Sequence, residues 1–202
     1  TILDENNALF KLREFVNGML WFRSVDFNGF IGLKNVTSFL DKLIIENNKI
    51  VDFSKFLKKY ELNYNLTEME ISGVKTLGVK KGKNVVTFDS IISSGTRALW
   101  LYYCWEIFFE SVKFLFIDEF DSTYHFELAA DIVKRLNSNS NFQSVLTSHN
   151  TYLMSNKLTR PDCTFILTSS FIKNLSSCTD KELREAHNIE KLYREGAFTD
   201  NE

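Results

Sequence analysis

The sequence predicts an α/β fold, a mostly parallel sheet flanked by helices, preceded by a helical region and a β-hairpin. Three observations carry this. From Ser93 onward, helical stretches alternate with short apolar runs at Lys113–Ile117, Gln143–Thr147 and Thr164–Leu167. Those runs lack polar alternation, as expected of strands in a sheet covered on both faces. Upstream, helical spacing gives way near residue 65 to β-type residues gathered around glycines. Residues 1–65 therefore read as a helical region, and residues 66–202 as an α/β portion opening with the hairpin, the softest break lying near residue 90.

Taken in order, Leu9, Leu12, Val16 and Leu20 recur at helical spacing and predict a helix over Leu3–Arg23. Asn35–Asn47 and Asp52–Tyr60 read as two more helices, with Asp52 as N-cap of the second. Met69, Ile71, Val74, Leu77 and Val79, followed by Val85, Val86 and Phe88, surround Gly78 and the turn Lys81-Gly82-Lys83-Asn84, which predicts the hairpin. The most apolar segment, Ala98–Phe109, is interrupted by Glu106 and is too short for the ~20 residues of a membrane span, so it reads as a buried helix. The ending, Asp180–Phe198, reads as one or two amphipathic helices.

Composition narrows the class of protein. With 202 residues, 44% hydrophobic and 14% aromatic, the chain can bury one substantial core. A net charge of −2 argues against a dedicated nucleic-acid surface, and the cluster Lys75, Lys80, Lys81 and Lys83 reads as a solvated hairpin. Cys104, Cys163 and Cys178 have no metal spacing and read as free thiols in a reducing cytoplasm. Acidic residues at Asp4, Glu5 and Glu14 break the first apolar stretch, so no signal peptide is expected. Thr1, in place of a methionine, reads as a cut point or a processed end.

Chemistry concentrates at three places. Phe114-Leu115-Phe116-Ile117 runs into Asp118-Glu119, a buried strand delivering two carboxylates to the edge of the sheet where ligands of open α/β folds bind. Upstream, Ser93-Ser94-Gly95-Thr96 opens the strongest helix, and small residues there expose N–H groups and the positive end of the helix dipole, which suits a phosphate. An ordinary serine N-cap is the plainer reading of that run taken alone. Downstream, the strand Gln143–Thr147 runs into Ser148-His149-Asn150, and a histidine there can donate a hydrogen bond to a phosphate.

Together, Ser93–Thr96, Phe114–Glu119, Asp121 and Ser148-His149-Asn150 resemble the signature, Walker B, D-loop and H-loop of ABC-type ATPases. The likeness points to the RecF-like and SMC-like branch, where Asp-Glu-Phe-Asp continues toward a histidine, as Asp118–Asp121 continues toward His125 here. The tail from Lys181 to Phe198, with Arg184 and His187, is similar to the ending of bacterial AAA-type ATP-binding proteins linked to abortive infection and phage resistance. The resemblance covers roughly Phe88–Phe198 and implies the C-terminal lobe of a P-loop NTPase head, with ATP and Mg²⁺ as cofactors. It implies that Asp118 supports the metal, that Glu119 is the general base and that His149 senses the terminal phosphate. Ser93, Ser94, Gly95 and Thr96 would cap a phosphate bound by a second head, in a homodimer or higher oligomer, and Asp121 would link the two sites. The implied setting is a cytoplasmic defence system with a nuclease or toxin effector, no membrane, and nucleic acid touched only through other regions.

Departures from the pattern matter equally. Ser94 and Thr96 stand where transporter signatures carry other residues. No G-x-x-x-x-G-K-[ST] loop occurs: Gly78 to Asn84 has the wrong spacing and precedes a strand. The expectation is therefore half of an ATP site, inert alone, with residues 1–65 as the end of a variable insertion. Two other readings stand beside it, a non-catalytic module derived from such an ATPase and a RecF-like repair ATPase, whereas a helicase, whose DExD box Asp118–Asp121 superficially fits, is opposed by the signature that precedes that box. A nuclease using Asp118, Glu119 and Asp121 ranks below them.

Overall fold

Helix α1 (Ala8–Asn17) starts where the Asn7 side chain accepts the Leu9 N–H at 2.9 Å, and it ends at Gly18, where there is no room for a β-carbon. A β-carbon on Gly18 would lie 2.6 Å from Lys113 Cγ and 3.1 Å from the Ser111 carbonyl oxygen. The Gly18 carbonyl accepts the Lys113 N–H at 2.8 Å, which draws the chain directly into strand β1 (Met19–Arg23). Leu20 and Phe22 are buried while Trp21 faces outward, a period of two. The helix expected over Leu3–Arg23 is thus corrected: its second half is a strand. The computed structural model describes residues 7–23, 28–32, 34–35, 40–122, 124–139, 141–179, 183–184 and 187–198, so residues 3–6 of that expected helix lie outside it.

The described residues divide into two compact units, the first formed by Thr1–Tyr124 with Asn141–Thr147. Its main sheet has β1 at the centre. On one side lie β2 (Asn28–Ile31), antiparallel to β1, and β3 (Lys34–Asn35), antiparallel to β2; on the other lie β7 (Phe114–Asp118), parallel to β1, and β8 (Gln143–Leu146), parallel to β7. The mixed α/β class with a parallel-containing sheet matches expectation. The helix expected over Asn35–Asn47 is shorter: α2 spans Leu40–Glu46, β3 already ends at Asn35, and residues 36–39 lie outside the described residues. Helix α3 (Ile50–Lys58) starts after Lys49, so Asp52 is not its cap but sits in the first turn, where a carboxylate still favours the helix dipole.

The expected hairpin is a three-stranded antiparallel sheet, β4 (Leu66–Ile71), β5 (Val74–Lys81) and β6 (Asn84–Thr87). The additional turn is Ser72-Gly73, with φ of 51° and 80°. Lys75 pairs with Glu68 at 2.8 Å on an exposed face, and Lys80, Lys81 and Lys83 are exposed. Buried Leu77 and Val79 lie on β5, which packs against α2. Helix α4 (Ser94–Glu106) is buried along most of its length, with Trp100, Leu101, Tyr102 and Trp105 inside, and Phe22 stacks on Trp105. This is the buried helix expected from Ala98 onward, and no described helix is long and apolar enough to cross a membrane.

The second unit comprises His125–Ser140 and Ser148–Glu202. It contains α5 (Phe126–Asn137), a two-stranded sheet of β9 (Phe165–Leu167) with antiparallel β10 (Ile172–Asn174), and α6 (Ile189–Arg194). Its core is Leu175, Ile189 and Phe198, with Met154, Ile166 and Leu192 against them. The run Thr164–Leu167 does form a strand, but not a doubly covered one: Phe165 is 55% exposed and Leu167 72%. The Thr168 N–H bonds the Phe171 carbonyl, turning the chain back so that β9 pairs with its own neighbour. In the tail, α6 is short, capped by Asn188 and ended near Gly196 at φ 78°. Residues 180–182 and 185–186 of the expected tail helices lie outside the described residues. The three cysteines are free thiols, and burial of Cys104 pushes its pKa up.

Candidate functional site

Three parallel strands end side by side, and each contributes one polar side chain to the same edge. The register sets Arg23 of β1 opposite Asp118 of β7, and Ile117 opposite Leu146 of β8, so that Thr147 follows level with Asp118. Ligands of open α/β sheets bind beyond this edge.

Thr147 ties the turn after β7 together with four hydrogen bonds. Its N–H donates to the Ile117 carbonyl at 3.0 Å, and its carbonyl accepts the Phe120 N–H at 3.1 Å. Its hydroxyl donates to Asp118 Oδ1 at 2.6 Å and accepts the Glu119 N–H at 2.8 Å. This clamp holds Glu119 at φ 48°, a left-handed conformation that non-glycine residues adopt only when their surroundings impose it. Without that turn the two acids would point along opposite faces of an extended strand. With it, both reach one guanidinium: Arg23 Nε lies 3.5 Å from Asp118 Oδ2, and Arg23 Nη2 lies 3.4 Å from Glu119 Oε2.

The side chains of Asp118 and Glu119 are 33% and 30% exposed, so solvent or a ligand can reach them. Among the described residues, no three acids, histidines or cysteines cluster in a way that could hold a metal. Two hard carboxylates open on one side fit Mg²⁺, which keeps waters and takes oxygens from phosphate, and do not fit a cage built wholly of protein ligands.

Ser93 is the N-cap of α4: its Oγ accepts the Thr96 N–H at 3.2 Å and lies 3.0 Å from Thr96 Oγ1. Ser93 and Ser94 are exposed and Gly95 is half-buried, whereas Thr96 is buried, with its hydroxyl engaged inside the turn. Asp121 is half-buried two residues beyond Glu119, and its carbonyl accepts the Tyr124 N–H. His149 is exposed and belongs to the second unit, where Ser148 Oγ accepts the Asn150 N–H and Asn150 caps the short helical turn Thr151–Met154. His187 Nδ1 accepts the Arg184 N–H at 3.1 Å, a local turn.

Two residues of this edge are not foreseen by the sequence reading. Arg23 falls inside the expected first helix, although Gly18 followed by Met-Leu-Trp-Phe-Arg is a strand signal: a breaker, then an aromatic-rich apolar run. Thr147 stands at the end of an expected strand, and a hydroxyl beside a neighbouring strand's terminal acid is the available clue.

Residues 2–155 match a family model described as an AAA domain, putative AbiEii toxin, Type IV TA system. No curated protein matches the chain. The match takes in residues 2–87 as well as Ser93–Thr96, Asp118, Glu119, Asp121 and His149, while the tail beyond residue 155 lies outside it. The chain, matched over residues 2–155 of its 202, belongs to this AAA-domain family.

Proposed function

We propose that the intact protein is the ATP-binding and ATP-hydrolysing subunit of a bacterial anti-phage, abortive-infection system, with an ABC-type head of the RecF-like and SMC-like kind. One observation carries the reading: in a chain of an AAA-domain family, two acids end a parallel strand and a threonine on the adjacent strand clamps them into one turn. The toxin–antitoxin wording of the family description supports the defence setting.

In this reading Asp118 would hold Mg²⁺, with Thr147 fixing the carboxylate through Oδ1, and the metal would supply neutralisation of charge on the phosphates. Glu119 accepts the proton of the attacking water. His149, exposed in the second unit, is a hydrogen-bond donor suited to a phosphate. The first N–H groups of α4, at Ser94 and Gly95 behind the Ser93 cap, face a phosphate held by a second copy, while the Thr96 N–H holds the Ser93 cap itself, and Asp121 couples the two sites. The phosphate-binding loop is contributed by sequence other than these residues. Residues 66–202 then act as the C-terminal half of the head and residues 1–65 as the end of an insertion, and a nuclease or toxin is the effector.

The test is nucleotide-dependent assembly of the intact protein carrying Glu119→Gln, followed by sedimentation. ATP with Mg²⁺ should convert it to a dimer or higher oligomer, and ADP should not. An assembly state identical with ATP, with ADP and without nucleotide contradicts the proposal.

A further inference from the structure

Arg23 lies between the two acids, on a strand whose register fixes its Cα opposite that of Asp118. Two like charges on adjacent residues repel, and a guanidinium, which stays protonated throughout the accessible pH range, offsets that repulsion. It reaches Asp118 through Nε and Glu119 through Nη2, at 3.5 and 3.4 Å. These contacts are longer than the 2.7–2.9 Å of tight charge-assisted pairs. The Arg23 side chain is 39% exposed, which leaves it a path to swing outward.

We propose that Arg23 is a positioning residue and resident counter-cation of the acid pair, occupying the space that a divalent cation must enter. Metal binding at Asp118 then requires displacement of the guanidinium. This rests on the reading of Asp118 as the metal-holding acid.

The experiment is titration of Mn²⁺, followed by electron paramagnetic resonance, into the intact nucleotide-free protein and its Arg23→Gln, Arg23→Met and Arg23→Lys variants, with circular dichroism to verify folding. Removing one positive charge at roughly 5 Å from the ion should tighten Mn²⁺ binding about tenfold in Arg23→Gln and Arg23→Met. Arg23→Lys, which keeps the charge, should stay within about threefold of wild type. The gain should vanish when Asp118→Asn is added. A purely structural arginine would leave Mn²⁺ affinity unchanged or weaken it on removal. Variants binding no more tightly than wild type, or a lysine variant as tight as the glutamine one, overturn the proposal. If Asp118→Asn abolishes Mn²⁺ binding in the presence of ATP while Arg23→Gln changes nothing, only the role of Arg23 fails. If the gain survives Asp118→Asn, the reading of Asp118 fails as well.

Discussion

Replacing Thr147 with valine removes one hydroxyl, keeps the shape of the side chain and leaves the two backbone hydrogen bonds of the residue in place. The hydroxyl makes two contacts, one to the Asp118 carboxylate at 2.6 Å and one from the Glu119 N–H at 2.8 Å. A hydrogen bond to a charged group contributes about 1.5–3 kcal/mol and a neutral one about 0.5–1.5 kcal/mol. Because the Asp118 and Glu119 side chains are 33% and 30% exposed, water replaces part of what is lost. The expected cost is about 2 kcal/mol, or a fall in Tm of about 4–8 °C for a chain of this size. All three tryptophans, Trp21, Trp100 and Trp105, lie in the same unit as Thr147, so intrinsic fluorescence during urea unfolding reports the loss directly. Thr147→Ser, which keeps the hydroxyl, should stay within about 1 kcal/mol of wild type. A valine variant within about 0.5 kcal/mol of wild type, or a serine variant as unstable as the valine one, would show that the clamp does not hold the turn.

Two further perturbations test the packing around this edge. Gly18→Ala places a methyl against Lys113 Cγ and the Ser111 carbonyl and should cost about 1–2 kcal/mol in urea unfolding. Much of that cost should return in the double variant with Lys113→Ala, and no recovery would place the strain elsewhere. Asp41 accepts a hydrogen bond from Thr76 at 2.5 Å, but its burial dominates and raises its pKa from the ordinary aspartate value. The folded state therefore holds the proton more tightly than the unfolded one, and stability is lost as pH rises through that window. Asp41→Asn should be more stable than wild type at neutral pH, with a difference that shrinks toward pH 4. A difference independent of pH would refute this.

The legible parts of the fold are those where one signal dominates. Phe114–Asp118 can be read from its apolar run and terminal acids, and α4 from a length of apolar sequence that no strand needs. Residues 8–23 mislead because Leu20 satisfies both periods: it continues the helical series from Val16 and opens the alternation with Phe22. What decides between them is the contact of Gly18 with Ser111 and Lys113, nearly a hundred residues away in sequence. The third strand of the small sheet escapes a reading that treats Ser72-Gly73 as part of a strand rather than as a turn. The pairing of β9 with β10 rests on a tight local turn rather than on apolar content. At the site, the acids can be identified from sequence, whereas the partners that orient them cannot. Arg23 and Thr147 matter through register across three strands, and register is a tertiary property.

Whether Glu119 is the base of an ATP-hydrolysing site is decided by single-turnover hydrolysis of ATP by the intact protein and its Glu119→Gln variant. Glutamine keeps the size of the side chain and can still accept the Arg23 hydrogen bond, but it cannot take a proton from water. The predicted result is a loss of about 10²-fold or more in hydrolysis rate, the scale expected for removing a general base, with ATP binding retained. Hydrolysis by Glu119→Gln at the wild-type rate would contradict the account.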